Sequence, residues 1–471
     1  MKILLTGATG YIGKRLLPIL IEKGHHVVCC VRDPKRFNPE KSLLPFIEVV
    51  QVDFLDANSL NNIPKDIDAA YYLIHSMSNS SNYDELEANT ATNFRDYMSQ
   101  TKVKQVLYLS GIVNEENLSK HLKSRKNVES ILEEGTFNLT TLRAGIIVGS
   151  GSASFEIIRD LVEKLPIMIT PKWLNTKCQP IGIRDVLRFL EGSLLKEEMY
   201  NQNFDIGGPD ILTYKEMLLE YARVRKLKRR IYIVPVMTPK LSSYWLYFVT
   251  STSYKLATSL VDSMKIEVVC RDNRINDILD IHPEGYTKAI QRAFAKIESN
   301  QIVSSWKDAQ VSGIRNINIS EFIEVPEFGC FKDVKEREIS SPETVRNRIW
   351  RIGGDTGWYH ADALWKTRGF MDKLVGGVGL RRGRTNATKL DVGDALDFWR
   401  VIYANKEEGR LLLFAEMKLP GEAWLEFKIK ENKLVQTATF RPHGVWGRIY
   451  WYAVLPFHGI VFKGMIDKIT K

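Results

Sequence analysis

A chain of 471 residues exceeds one ordinary domain, and its 44% hydrophobic share builds packed cores rather than long disordered stretches. Five cysteines, odd in number and without metal-ligand spacing, exclude a disulfide scaffold or a zinc module and predict a reducing compartment. A formal charge of +10 is only moderately basic; no nucleic-acid motif accompanies it, and the densest basic run, Arg223 to Arg230, reads as a phosphate-facing surface or a solvated helix end.

The chain opens on an apolar run, Ile3 to Leu5, that feeds a turn with glycines at 7, 10 and 13. An amphipathic helix carrying Leu16, Leu17, Ile19 and Leu20 follows. In a strand–turn–helix unit, Gly7 permits the tight turn, Gly10 lets backbone approach a diphosphate, and Gly13 lets the helix lie against its strand. Thr9, Tyr11 and Ile12 complete the predicted cradle. The second strand spans His26 to Val31, with Cys29 and Cys30 as buried strand residues. Arg32 follows it, with Lys35 and Arg36 close behind. A guanidinium forks onto a 2′-phosphate, so NADP is expected as cofactor; NAD stays open because Asp33 stands about twenty residues past the last glycine.

The GxxGxxG spacing resembles the short-chain dehydrogenase/reductase superfamily, in its atypical, NmrA-like branch. The match continues through Val49 to Asp56, Ala69 to Met77, Val106 to Gly111, Leu142 to Gly149 and Phe204 to Tyr214, about the first 220 residues. The resemblance implies a doubly wound parallel Rossmann sheet of α/β class and NAD(P) binding. It places Asp53 and Phe54 at the adenine, Ile74 and His75 beside the nicotinamide ribose, and Ser110 as the active-site serine. The superfamily's Tyr-x-x-x-Lys is replaced here by His121 and Arg125. Histidine has a proton to transfer near neutral pH, whereas arginine holds a hydroxyl or phosphate without losing its own proton. The candidate catalytic set is therefore Ser110, His121 and Arg125; the other reading of the last two is a solvated basic helix start.

The expected organisation is a Rossmann domain over 1–235, a helical substrate lobe and linker over 236–302, and an α+β domain over 303–471. Within the last, Leu411 to Met417, Ala423 to Ile429 and Leu434 to Phe440 read as antiparallel strands joined by turns at Pro420-Gly421 and Glu431-Asn432. An apolar helix from about Trp446 to Ile469 ends the chain. Strands gripped by a long final helix resemble START and polyketide-cyclase (helix-grip) domains. The run from Gly357 to Arg400 resembles an uncharacterised bacterial module. The loop from Gly376 to Arg384 reads either as an anion site or as a hairpin whose arginines pair with Asp391, Asp394 or Asp397. Glu416, Trp424 and Gln436 are expected either to line one cavity or to fill a core. Arg448 and His458 interrupt the last helix, whose uninterrupted apolar run falls short of the roughly twenty residues of a bilayer span; a span and peripheral membrane contact both stay open.

The expected function is a reductase moving hydride between nicotinamide and a hydrophobic carbonyl or quinone-like substrate, with no metal and no nucleic-acid partner. The alternative is a catalytically silent sensor or assembly protein, like NmrA-like regulators and the accessory Rossmann subunit of respiratory complex I. A third reading makes the C-terminal domain a lipid or isoprenoid carrier. Met1 leads straight into a strand, so a cytoplasmic location is expected.

Overall fold

Short apolar strands separated by helices pair in parallel, because each helical crossover returns the chain to the same sheet edge. The computed structural model describes residues 1–34, 37, 39, 41–75, 83–113, 120–234, 261–298, 325, 330–374, 377, 379, 384, 388–442 and 444–471. Arg36, Lys35, Ser76, Met77 and most of the Gly376–Arg384 loop lie outside the described residues. The chain divides into two units, Met1–Arg315 and Asn316–Lys471.

The first unit carries a seven-stranded parallel sheet of β1 (Lys2–Leu5), β2 (His26–Val31), β3 (Ile47–Gln51), β4 (Ala69–Tyr72), β5 (Gln105–Gly111), β6 (Asn138–Ala144) and β7 (Gln202–Ile206). Its order is β7-β6-β5-β4-β1-β2-β3. The direction of winding reverses between β1 and β4, which leaves a crevice at the carboxyl ends of the strands. Helices are α1 (Gly13–Glu22), α2 (Tyr83–Met98), α3 (Lys120–Glu133), α4 (Ala153–Lys164), α5 (Ile183–Gly192), α6 (Tyr214–Val224), α7 (Arg274–Leu279) and α8 (Tyr286–Glu298).

Strand alternation feeds two cores. Ile3, Leu5, Val27 and Cys29 pack with Leu16 and Leu17 of α1 and Val186 of α5 on one face. Leu4, Val28 and Cys30 pack with Ala91 and Phe94 of α2 and Val128 of α3 on the other. A third cluster joins α4, α6 and α8 through Phe155, Tyr221 and Phe294, with ring centroids 5.3 to 6.0 Å apart. The basic run Arg223–Arg230 straddles the end of α6 and the connection beyond it.

The second unit is an antiparallel sheet of β8 (Phe331–Glu338), β9 (Ala395–Leu396), β10 (Trp399–Asn405), β11 (Arg410–Ala415), β12 (Gly421–Lys430) and β13 (Lys433–Pro442), in the order β8-β13-β12-β11-β10-β9. With it come α9 (Pro342–Ile349), α10 (Asp362–Leu374) and α11 (Gly444–Thr470), the last lying on β8 and β13. The three strands expected from the sequence are β11, β12 and β13, and Glu431 takes φ of 51° at the tight turn between the last two.

Two open alternatives are decided by the second unit. Trp424 pairs with Thr439 and Phe414, whereas Gln436 pairs with Phe427. Side chains alternate along a strand, so Trp424 and Gln436 lie on opposite faces of the sheet and do not line one cavity. Glu416 instead holds Arg400 through two 3.1 Å hydrogen bonds, and Gln436 donates to the Phe462 carbonyl at 3.3 Å. Arg384 donates to the carbonyls of Trp350 and Ile352, each at 2.7 Å, and of Lys389 at 3.1 Å, while the charges of Asp394 and Asp397 favour its protonated form. Burial pushes its pKa down to about 10.

The Arg400–Glu416 pair is almost fully buried, and Arg400 also donates to the Gly393 carbonyl at 2.6 Å. Replacing Glu416 with Gln removes a buried carboxylate from a buried guanidinium, so Glu416→Gln is expected to destabilise the second unit by roughly 3 kcal/mol, read as a lowered urea midpoint of its unfolding transition.

Candidate functional site

The site begins at the carboxyl end of β1. Thr6 donates its hydroxyl to the Tyr71 carbonyl at 2.9 Å and accepts the Leu73 N–H at 2.9 Å, which ties β1 to β4 just below the glycine turn. Gly7 follows with φ of 64°, a left-handed conformation that costs a side-chain-bearing residue free energy. A Cβ there would lie 2.7 Å from the Leu73 carbonyl oxygen. Gly10 donates its N–H to the Gly7 carbonyl at 2.8 Å, and a Cβ on Gly13 would lie only 2.3 Å from that same oxygen. These three glycines therefore form one device, closed on one carbonyl. Outward of Gly10 the space is open: the Gly7 oxygen, at 3.1 Å, is the sole described atom a Cβ would meet within 4 Å.

Helix α1 starts at Ile12 without a side-chain cap and without an acidic residue in its first turn. Its amino-terminal dipole end thus faces the crevice with no carboxylate of its own. This cradle, narrow where glycine is required and open outward, fits a dinucleotide diphosphate. Thr9 and Tyr11 border it. The Tyr11 phenol is buried, which raises its pKa to about 12, and the Arg15 guanidinium lies 4.0 Å from the Tyr11 ring centroid. Arg15 also donates to the Ser150 carbonyl at 2.8 Å, pinning the turn to the segment after β6. Sequence reading missed Arg15; its only signal was a cation among the apolar positions of α1.

At the adenosine end, Arg32 leaves β2 exposed, and its carbonyl accepts from Gln51 at 3.1 Å. Asp53 stands exposed past β3 and accepts the Leu55 N–H at 3.1 Å, while its own N–H donates to Ser59. Phe54 differs from expectation. Its ring is buried in the core 5.9 Å from Phe94, so only its main chain, which accepts from Asn93 at 2.8 Å, lies outside that packing. Ile74 is likewise half-buried against that core.

The other half of the site clusters at the ends of β4 and β5. His75 Nδ1 lies 2.8 Å from Glu87 Oε1 of α2, and the other oxygen of Glu87 accepts from the Ser124 hydroxyl of α3. Burial opposes ionisation of Glu87, yet its bonds from His75 and Ser124, with Arg125 nearby, bring its pKa down to about 2. Burial, and then Arg125, lower the pKa of His75 against the opposing pull of Glu87. Ser110 is buried at the end of β5, without a well-formed hydrogen bond among the described residues and with the Tyr108 phenol near it. Arg125 donates to the Leu109 carbonyl at 3.2 Å. His121 belongs to the first turn of α3, and its side chain lies outside the described residues. The structure thus brings Ser110, Arg125 and His75 together and adds Glu87 and Ser124, which the sequence did not mark. A buried glutamate on a helix carries no motif of its own.

A row of charges runs along the neighbouring strand ends. Ser110 is in register with Arg143, and Arg143 with Asp205. Glu129 of α3 takes Arg143 in a fork of 2.6 and 3.1 Å, and Asp205 takes Arg271 in one of 2.7 and 2.8 Å. Both acids are nearly inaccessible, so these pairs fix the strand ends rather than decorate a surface. Among the described residues no cluster of histidine, cysteine or acidic side chains has the makings of a metal site.

Comparison with known proteins agrees with this architecture. Residues 7–161 match a family described as NAD(P)H-binding, and residues 329–465 match one described as a protein of unknown function (DUF2867). The chloroplastic divinyl chlorophyllide a 8-vinyl-reductase of Arabidopsis thaliana is 22% identical over 226 residues, 44% of this chain and 54% of that protein. The chain thus spans about half the length of this curated relative. Among solved structures, a nucleoside-diphosphate-sugar epimerase from Staphylococcus aureus superposes with TM-score 0.51 at 14% identity, over 62% of this chain and 100% of that one. The NADPH-dependent quinone oxidoreductase of Escherichia coli, complexed with NADPH, superposes with TM-score 0.51 at 15% identity, over 62% and 99% respectively. At these identities the superpositions establish the fold of the first unit.

The depressed pKa of Glu87 has a measurable consequence. A carboxyl at about 2 when folded and near 4.5 when unfolded stabilises the fold above pH 4.5, and that contribution disappears as pH falls toward 2. Urea unfolding across this range is expected to show Glu87→Gln less stable than wild type by about 3 kcal/mol at neutral pH, with the gap closing in acid.

Proposed function

We propose that the first unit binds NADP(H), with NAD(H) the weaker ligand, and reduces a hydrophobic carbonyl or quinone-like compound. The observation that carries this reading is the uncapped glycine cradle at the sheet crevice, closed on the Gly7 carbonyl and open at Gly10. Gly7, Thr9, Gly10, Tyr11, Ile12 and Gly13 would hold the diphosphate, Arg32 and Arg36 the 2′-phosphate, and Asp53 the adenine edge. Ile74 and His75 would flank the nicotinamide ribose. When bound, the coenzyme supplies the hydride. The chain's own task is to position the substrate and exclude water: Ser110 orients the reacting oxygen, and His121 delivers the proton. The NADPH-dependent quinone oxidoreductase and the plant vinyl-reductase, both reductases by name, lend support to this class of reaction.

A second reading, a catalytically silent nucleotide sensor or assembly protein, is favoured by one observation. Arg125, at the position of the superfamily lysine, donates to the Leu109 carbonyl and sits against the Glu87–His75 pair, a structural use of that side chain. For the second unit, the antiparallel sheet with α11 across it supports a helix-grip domain taking a small hydrophobic ligand. A cytoplasmic location fits the five free thiols.

Calorimetry on the full chain is expected to detect NADPH uptake, with Arg32→Glu weakening it about tenfold and leaving NADH little changed. No heat with either coenzyme removes the proposal. Mixed with NADPH and a panel of quinones and aldehydes, the protein is expected to oxidise the coenzyme, and Ser110→Ala to cut that rate about a hundredfold. Uptake without turnover, indifferent to His121→Ala, selects the silent reading instead.

A further inference from the structure

Helix α11 is apolar on both sides, although only one side is packed. Trp451, Phe462, Met465, Ile466 and Ile469 are buried against the second unit's sheet. Trp451 stacks between Phe331 of β8 and Phe440 of β13, at 5.3 and 5.8 Å. The opposite side holds Trp446, Ile449, Phe457 and Ile460, with Tyr452 at its edge; Trp446 is 77%, Tyr452 63% and Ile460 59% exposed. At 3.6 residues per turn Trp446, Ile449, Phe457 and Ile460 fall on one side of the helix and make a stripe roughly 21 Å long. Isolated exposed apolar residues are ordinary on proteins; an unbroken aromatic and aliphatic stripe on one helix is a contact surface.

Charge identifies its partner. Between Gly444 and Ile466 the helix has no acidic residue. Arg448 and Lys463 lie exposed along it, and the first acid, Asp467, is already held by Arg337 at 2.7 Å. An apolar stripe with a tryptophan and a tyrosine at its border and cations beside it matches the layer where acyl chains meet anionic headgroups. The helix has the length and composition of a span, at mean hydropathy 1.2. Spanning, however, would strip Trp451, Phe462 and Met465 from the sheet and expose the apolar faces of both, so the packed side commits α11 to lie along the surface.

We propose that α11 is a membrane-surface helix that seats the protein on anionic lipid through Trp446, Ile449, Tyr452, Phe457 and Ile460. The inference does not rest on nucleotide binding: the stripe lies wholly in the second unit.

The test is sedimentation of the full chain with vesicles of phosphatidylcholine alone or mixed with phosphatidylglycerol. Binding to the anionic vesicles is expected, weaker on neutral ones and reduced by salt. Ile449→Asp/Phe457→Asp changes two exposed positions and is expected to keep the wild-type melting curve while lowering partitioning at least tenfold; Arg448→Glu is expected to lower it severalfold. Bilayers with brominated acyl chains read the same contact on unaltered protein, as quenching of its tryptophan emission. The proposal is overturned if wild type stays in the supernatant with anionic vesicles, if the double variant partitions equally, if brominated lipid leaves the emission unquenched, or if the stripe proves to join two copies, seen as a dimer that the double variant converts to monomer without any lipid uptake.

Discussion

The carbonyl oxygen of Gly7 is the point on which the nucleotide end of this protein closes. It accepts the Gly10 N–H, and it occupies the space a Cβ on Gly13 would need. Gly7 reaches this position only by turning left-handed under the Leu73 carbonyl. Strand β1, the turn and α1 are thereby locked at one spacing, and the helix amino terminus points into the crevice between β1 and β4. Any side chain at Gly7 or Gly13 forces strand and helix apart, which would widen the cradle and displace everything built on it.

A second constraint governs the chemistry side. Charged groups at the ends of β4 to β7 are all buried to some degree, and a buried charge survives only when paired and hydrogen-bonded. Glu87, Glu129 and Asp205 each meet this demand with a defined donor set. The result is a rigid wall around Ser110 rather than a set of mobile side chains. Arg125 belongs to that wall through its bond to the Leu109 carbonyl.

The second unit solves a different problem. Its sheet has a tryptophan-rich core, with Trp358, Trp365 and Trp399 around Phe398, and α11 completes it along one side. The helix carries more apolar surface than the sheet has room for. Burying one side and presenting the other gives a single element both a folding role and a contact role.

The sequence by itself determined the strand–turn–helix opening, the placement of β2, the antiparallel strands β11 to β13 and the final helix. Each follows from local periodicity and turn chemistry: alternating residues for the strands, glycine spacing for the turn, and Glu431-Asn432 for the tight reversal. Only tertiary structure decided the rest, because contacts across the chain leave no periodic trace. Glu87 meets His75 and Ser124 across two helices and a strand end, Arg15 reaches Ser150, and Asp205 meets Arg271, joining residues far apart in sequence. Register separated Trp424 from Gln436, a one-residue matter of which face a side chain takes, and packing drew Phe54 into the core. Whether an apolar helix is buried, spanning or half-exposed likewise depends on what lies against it, and here the sheet covers one side of α11.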